Sequence, residues 1–491
     1  MLTATSRASR RRLLQAVVVG TLATAIAACQ GAPAPAATAQ PAANATTAPA
    51  KPTAAPATQP TSAPAAATQA PAATAAPVSA EKITIEAWIP WADKPSVAVF
   101  QQVIAKFQTA TPQYTVHPTW GATEDKTLTA ISGGAPPDTF MNWDATYVGT
   151  WSQTGAIADI TSWMNSNNLA RKLTPGALEL GRIGAQYFAV PYMTDGYSFM
   201  YNQDVFDKAG IKTPPKTMDD VVALDAELTK VDGGKLKQVG YHPLYNGCCS
   251  ASNLPMWADQ MGGKWYDDAN KKITADDPGN VAALEWEASF YKAHGVEAMN
   301  NFLSGLGKEA SPTDPVAVGA ILMAIQGEWR TGGAYGVLAA NPNFKYGLSA
   351  IPIAKDQPQF HDANWATGTA ASIPKTAKHG QDALNFIGWL LSLDTQLEMV
   401  NGIGNLSATL EGLRAHDQLT LAGMNPYSAY LLQSNEANNV HVWPSIPVSK
   451  QYMDALVKAE QLAVAGKQSA TDALKSVVQQ IQPQLDATLK K

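Results

Sequence analysis

Three short stretches of this 491-residue chain gather indole rings, carboxylates and amides: residues 88–94 (WIPWADK), 120–124 (WGATE) and 142–144 (NWD). A ring face packs on apolar C–H surface. A carboxylate accepts from two hydroxyls, and an amide both donates and accepts. Such loops suit the binding of a polar, uncharged molecule. Bond-breaking chemistry has no matching signature. The seven histidines are scattered, none in a His-Glu-x-x-His pattern, and there is no Gly-x-Ser-x-Gly elbow. Neither a phosphate-cradling Gly-x-x-x-x-Gly-Lys loop nor a Gly-x-Gly-x-x-Gly fingerprint occurs, so no cofactor is expected. Paired glycosidase carboxylates are set by spatial distance, so a surface carbohydrate hydrolase stays open, as does an adhesive surface lipoprotein.

The elements around these stretches explain their placement. Ile83, Ile85 and Ala87 alternate with polar neighbours, as in a strand. Phe100, Val103, Ile104 and Phe107 then lie at helical spacing, with Ser96 as the expected cap and Pro112 past the end. Residues 114–120 and 136–144 read as two further strands. Strand, helix, strand, helix, strand is the order of a parallel α/β sheet, whose ligands bind beyond the carboxyl ends of the strands. The three Trp-rich stretches are those ends, although a tryptophan there can equally belong to the core. Further on, Thr217 and Asp220 form a capping box ahead of a buried stripe expected at Val221, Leu224, Leu228 and Val231.

The leading segment has another use. Arg7, Arg10, Arg11 and Arg12 precede an apolar run that is too short for a membrane span and ends in small residues, the pattern of an export signal over 1–28. Residues 30–80 hold one charge, Lys51, and no aromatic ring, so they cannot bury enough surface to order themselves. Such Pro-rich chain reaches at most about 150 Å at about 3.1 Å per residue and reads as a tether. Without the signal, 31 basic face 40 acidic residues, a net charge of −9, which argues against nucleic acid as a partner. Cys248 and Cys249 are adjacent, neither a disulfide framework nor a zinc site. A vicinal bridge would close a strained ring, and both the bridge and two inert thiols stay open.

Several blocks carry a family resemblance. "GGAPPDTFMNWDATYVGTWSQTGAIADIT" (133–161), "YFAVPYMTDGYSFMYNQDVFDKAGIKTPPKTMDDVVALDAELTKV" (187–231), "VGAILMAIQGEWR" (318–330), "WATGTAASIPKTAKHGQDALNFIGWLLSLDTQLEMV" (365–400), "NGIGNLSAT" (401–409) and "GKQSATDALKSVVQQIQPQL" (466–485) occur in this order. Together they resemble the extracellular solute-binding proteins of bacterial ABC importers, in the sugar-binding branch related to maltose-binding protein. Met218 stands where that family commonly has Trp, and Ser407 where Pro is usual. The resemblance implies an α/β, two-lobed periplasmic-binding-protein fold (type II-like), with hinged lobes and a ligand cleft. One lobe is expected at 81–194 plus 370–415, the other at 195–369 plus 416–491. It implies a neutral sugar or oligosaccharide as ligand, ABC permease transmembrane subunits as partners, no catalysis and a monomer. Trp329 matches the family's stacking Trp and Asp195 an acidic contact, both expected to serve binding rather than folding. Trp91, Lys94, Asn142, Trp143, Asp144, Tyr197, Trp257, Trp365, Asn405 and Trp443 complete the candidate site. "IAAC" (26–29) resembles a lipobox, which implies lipidation of Cys29, with 29–80 as anchor and tether on the outer face of the cell membrane. "SRRRLLQ" (9–15) resembles a twin-arginine export signal.

Overall fold

The computed structural model describes residues 82–245, 252–332, 336–360 and 363–490. Cys29, Cys248, Cys249 and the whole tether lie outside them. Residues 77–491 form one compact unit.

Eight of the eleven strands of the main sheet among the described residues matter for the site: β1 (Ile83–Ile89), β2 (Tyr114–Trp120), β3 (Thr139–Asn142), β4 (Val190–Asn202), β5 (Lys235–Tyr241), β6 (Ile321–Gly327), β7 (Tyr346–Ser349) and β8 (Asn364–Ser372). The first three are parallel, as the strand-helix-strand order predicts, with β1 and β2 in register from Ile83 opposite Tyr114 to Ile89 opposite Trp120. The following helix, Lys94–Ala110, buries Phe100, Val103, Ile104 and Phe107. Its cap is Asp93, whose carboxylate accepts from the Ser96 amide at 2.9 Å, and not Ser96 itself, which is buried inside the first turn. The capping box of Thr217 and Asp220 is present on helix Met218–Leu228. That helix ends three residues short of Val231, which is 62% exposed on the edge strand Lys230–Asp232 and does not join the buried stripe.

The strand order is β2-β1-β3-β8-β4-β6-β5, and the sheet is mixed, because β8 runs antiparallel to both β3 and β4. Strand β4 is the spine. At about 3.3 Å per residue, its 13 residues span about 43 Å. Its first half, from Val190 to Gly196, pairs with β8; its second half, from Tyr197 to Asn202, pairs with β6 and β7. Two large cores form on either side. One gathers Ile85, Phe100, Val116, Tyr192, Ile373, Phe386 and Met399; the other gathers Phe199, Trp257, Tyr291, Ile325, Tyr452 and Ile481. These are the two lobes, joined through β4 and β8.

Away from the shared strands the lobes touch again. Helix Thr146–Gln153 packs on residues 446–447 so closely that a Cβ on Gly149 would lie 2.1 Å from the Ile446 carbonyl oxygen. Lys450 sits 5.8 Å from the centre of the Tyr147 ring, and Ser445 donates to the Glu179 carbonyl at 2.8 Å. Among the described residues no helix is long and apolar enough to cross a membrane.

Candidate ligand-binding site

A cavity enclosing about 760 Å3 of empty space, including solvent at its mouth, lies between the shared strands and these contacts. Several separate segments build it. Trp143 and Asp144 leave the carboxyl end of β3. Trp365 and Thr367 stand on β8. Trp443 and Ser445 come from the connection after Val440–His441. Ser252, Pro255, Lys450 and Met453 close it from the second lobe.

Three indoles thus face one space. Trp143 is 41% exposed, while Trp365 and Trp443 are almost wholly buried. Trp443 is fixed by donating its Nε1–H to the Ser449 carbonyl at 3.2 Å and by packing on Trp265 and Tyr452. Trp143 stands edge-on to Trp91 with ring centres 5.8 Å apart. Trp91 is itself 3% exposed and packs on Phe100 and Tyr192. So Trp91 supports the wall as core, and Trp143 presents it.

The polar groups are held as firmly. Asp144 Oδ1 accepts from the Thr146 amide at 2.9 Å and its hydroxyl at 2.6 Å, a local turn that aims the loop into the cavity. Burial pushes the Asp144 carboxyl up, opposed by those bonds and by Lys450. Glu124, which lies beside the Trp143 backbone, is raised by burial and by Asp144. Asn142 is 1% exposed; it donates to the Asp144 carbonyl at 2.7 Å and leaves Oδ1 buried without a partner.

A second polar group forms where β4 and β8 pair, with Asp195 opposite Thr367. Asp195 accepts from Thr367 Oγ1 at 2.8 Å and from Asn405 Nδ2 at 2.6 Å. Asn405 also reaches Glu328 Oε1 at 3.3 Å, and Glu328 Oε2 accepts from the Gly196 amide at 3.0 Å. The Tyr197 hydroxyl lies 3.1 Å from Thr367 Oγ1. Asp195 is 5% and Glu328 0% exposed. Burial raises both carboxyls, Glu328 well above the ordinary range and further through Asp195. Trp329 follows in the turn after β6. Its ring folds back over Gly327, where a Cβ would lie 2.0 Å from a ring carbon, and it meets Tyr197 edge-on at 5.6 Å. Trp329 and Asp195 therefore carry packing and hydrogen-bonding roles in the fold itself, beside any role in binding.

Two candidates lie elsewhere. Trp257 is fully buried in the second core, donating to the Tyr241 hydroxyl at 2.7 Å and packed on Trp286 and Phe199. Lys94 is exposed at the start of its helix and does not line the cavity. Sequence reasoning missed Thr367, Glu328, Ser252 and Lys450. Glu328 sat inside a quoted block, but its partners are remote in sequence. Arg330, the cation beside Trp329, is turned away into the core, where it bonds Asp314 at 2.7 Å, Glu309 at 3.1 Å and Gln326 at 2.9 Å. Among the described residues no three His, Cys, Asp or Glu side chains gather as metal ligands.

Residues 91–397 match the family described as bacterial extracellular solute-binding protein. A Brucella abortus (strain 2308) protein, named as a binding protein without a stated ligand, is 23% identical over 410 residues, which are 80% of this chain and 90% of that one. The solved structure of CpMnBP1 with mannotriose bound superposes with a TM-score of 0.68 at 22% identity, over 81% of this chain and 99% of that one. An ABC substrate-binding protein of Listeria monocytogenes in complex with cycloalternan gives 0.66 at 19% identity, over 83% and 100%. Those likenesses show the same two-lobed fold.

Proposed function

We propose, for a chain that belongs to the bacterial extracellular solute-binding proteins, that its cleft captures a neutral sugar or oligosaccharide. The bound sugar is then handed to the membrane subunits of an ABC importer. The observation that carries this reading is the cavity lined by Trp143, Trp365 and Trp443, with Asp144, Thr367 and Ser252 set among the rings. A sugar has an apolar C–H face for the indoles and hydroxyls for the polar groups between them. A phosphorylated solute would need several arginines at the cleft. Arg330 is committed to Asp314 and Glu309, and the lining cation Lys450 is paired with Asp454. The saccharides named in the two solved complexes are of the same chemical class.

Capture is stoichiometric and without turnover. The lobes, bounded near 194/195, 369/370 and 415/416, close over the ligand about β4 and β8. Cys29 carries the lipid anchor and 30–80 the tether, so the protein works as an exported monomer held at the outer face of the membrane. A twin-arginine route would deliver it there. The support for anchor, tether and route is the sequence of residues 1–80 alone.

A thermal-shift screen of the mature chain against neutral mono-, di- and trisaccharides and polyols, with sugar phosphates alongside, tests the ligand class. A ligand at a hundred times its Kd adds about 2.7 kcal/mol of stability. Stabilisation by neutral sugars is expected. Stabilisation by the phosphates alone would overturn the reading.

A further inference from the structure

We propose that Glu328 is a protonated positioning residue: it shares its proton with Asp195 and thereby fixes Thr367 as a hydrogen-bond acceptor toward the cleft, so that the site selects a ligand hydroxyl there. The selectivity rests on the cleft being the binding site; the shared proton does not.

The four residues come from four separate stretches: Asp195 from β4, Thr367 from β8, Glu328 from the turn after β6, and Asn405 from just before Leu406–Ser407. They meet where the strands shared by the lobes pair. Two buried carboxyls that share a site cannot both ionise unless a cation balances them. The groups facing them from the packed elements are phenols: Tyr192 on the same strand as Asp195, and Tyr427 on helix Met424–Glu436. Arg330 has its guanidinium among Glu309, Asp314 and Gln326. One proton therefore stays on the pair.

Its position follows from the donors. Asp195 accepts the two shorter bonds, at 2.6 and 2.8 Å, and is the better-held anion. Glu328 accepts longer bonds, from the Gly196 amide at 3.0 Å and Asn405 at 3.3 Å, beside its own backbone amide, so the proton sits on Glu328. Burial raises both carboxyls and raises Glu328 the more.

The consequence reaches the cavity through Thr367. A threonine hydroxyl has one proton. Asp195 holds it, so the Tyr197 hydroxyl at 3.1 Å must be the donor of that contact. Thr367 lines the cavity with a lone pair left over. A ligand group placed against it must donate, as a sugar hydroxyl does and an ether oxygen does not.

The test needs no ligand. The infrared carboxyl stretch of the ligand-free mature protein is recorded across pH for wild type, Glu328→Gln, Glu287→Gln, Thr367→Val and Thr367→Ser. Wild type should keep a protonated-carboxyl band at pH 7.5. Glu328→Gln should remove one component that Glu287→Gln leaves in place. Thr367→Val should shift that component, and Thr367→Ser should restore it. An intact band in Glu328→Gln, or its absence in wild type, overturns the proposal. Should Glu328→Gln not fold, Asp195→Asn in protein labelled at the glutamate carboxyl carbons replaces it. A protonated glutamate resonance at pH 7 must then move, and unmoved resonances overturn the proposal. Failure of the sugar screen leaves this result standing, and the reverse also holds.

Discussion

Two pairs of carboxyls buried among the described residues are built differently. Asp195 and Glu328, at the pairing of the shared strands, receive donors from Thr367, Asn405 and the Gly196 amide. Glu287 and Glu460 lie in the second core between helices Pro278–His294 and Ser449–Val464; Glu460 accepts from Ser252 and from Glu287, and neither Glu287 oxygen receives a donor in return. Burial and the facing carboxyl push Glu287 well up; burial also raises Glu460. The first pair orders the chain around it by accepting bonds. The second has fewer donors, the Ser252 side chain and the proton held between the two glutamates. Burial alone therefore does not mark a functional acid; the donors aimed at it do.

The largest expected effect breaks the first pair. Glu328→Leu leaves the Gly196 amide unpaired and weakens the hold on Asn405 and Asp195. It should cost about 2–4 kcal/mol, at about 1–3 kcal/mol per unsatisfied buried group. Chemical denaturation measures it, and a loss below about 0.5 kcal/mol would show that the network is not holding the paired strands. The same change at Glu287 should cost much less. Glu287→Leu removes two oxygens that receive no donor but also takes a donor from the buried Glu460 carboxyl, and should cost under about 1 kcal/mol at pH 8. Equal destabilisation by both substitutions would erase the distinction.

A smaller effect is the pH dependence that both pairs share. The folded chain keeps protons that the unfolded chain loses above about pH 4.5. Stability therefore falls as pH rises from there, by at most about 1.4 kcal/mol per pH unit for each proton. For Glu460, whose carboxyl is pushed up to about 7, the window closes near that pH. Melting curves from pH 4.5 to 8 should slope downward in wild type and be flatter in both Glu287→Gln and Glu328→Gln. A wild-type slope unchanged in both variants would place the protons on other groups.

The sequence made the sheet and its helices legible because each depends on local spacing. The β1 alternation, the Phe100–Phe107 stripe and the Thr217–Asp220 box are contained within one element. Errors fell where a choice depended on a neighbour in space. Asp93 and Ser96 can both cap a helix, and the buried first turn decides between them. Val231 fits the helical spacing, yet the helix stops at Leu228. The tryptophans show the same limit. Trp91 and Trp143 flank the same corner of one sheet, and only the fold shows that one is core and the other is wall. Nothing near Glu328 in the chain announces Asp195, because their contact exists only once β4 and β6 pair.

The central claim, that the three-indole cavity is the sugar site, is tested most directly at its most exposed ring. Calorimetric titration of the best sugar from the screen into wild type and Trp143→Ala is the measurement. Losing about 100 Å2 of stacking contact at about 25 cal/mol per Å2 removes about 2–3 kcal/mol. That predicts affinity weakened about thirty- to a hundredfold, with the melting temperature of the ligand-free protein nearly unchanged, since Trp143 is 41% exposed. Wild-type affinity in Trp143→Ala would contradict the account and move the site elsewhere in the chain.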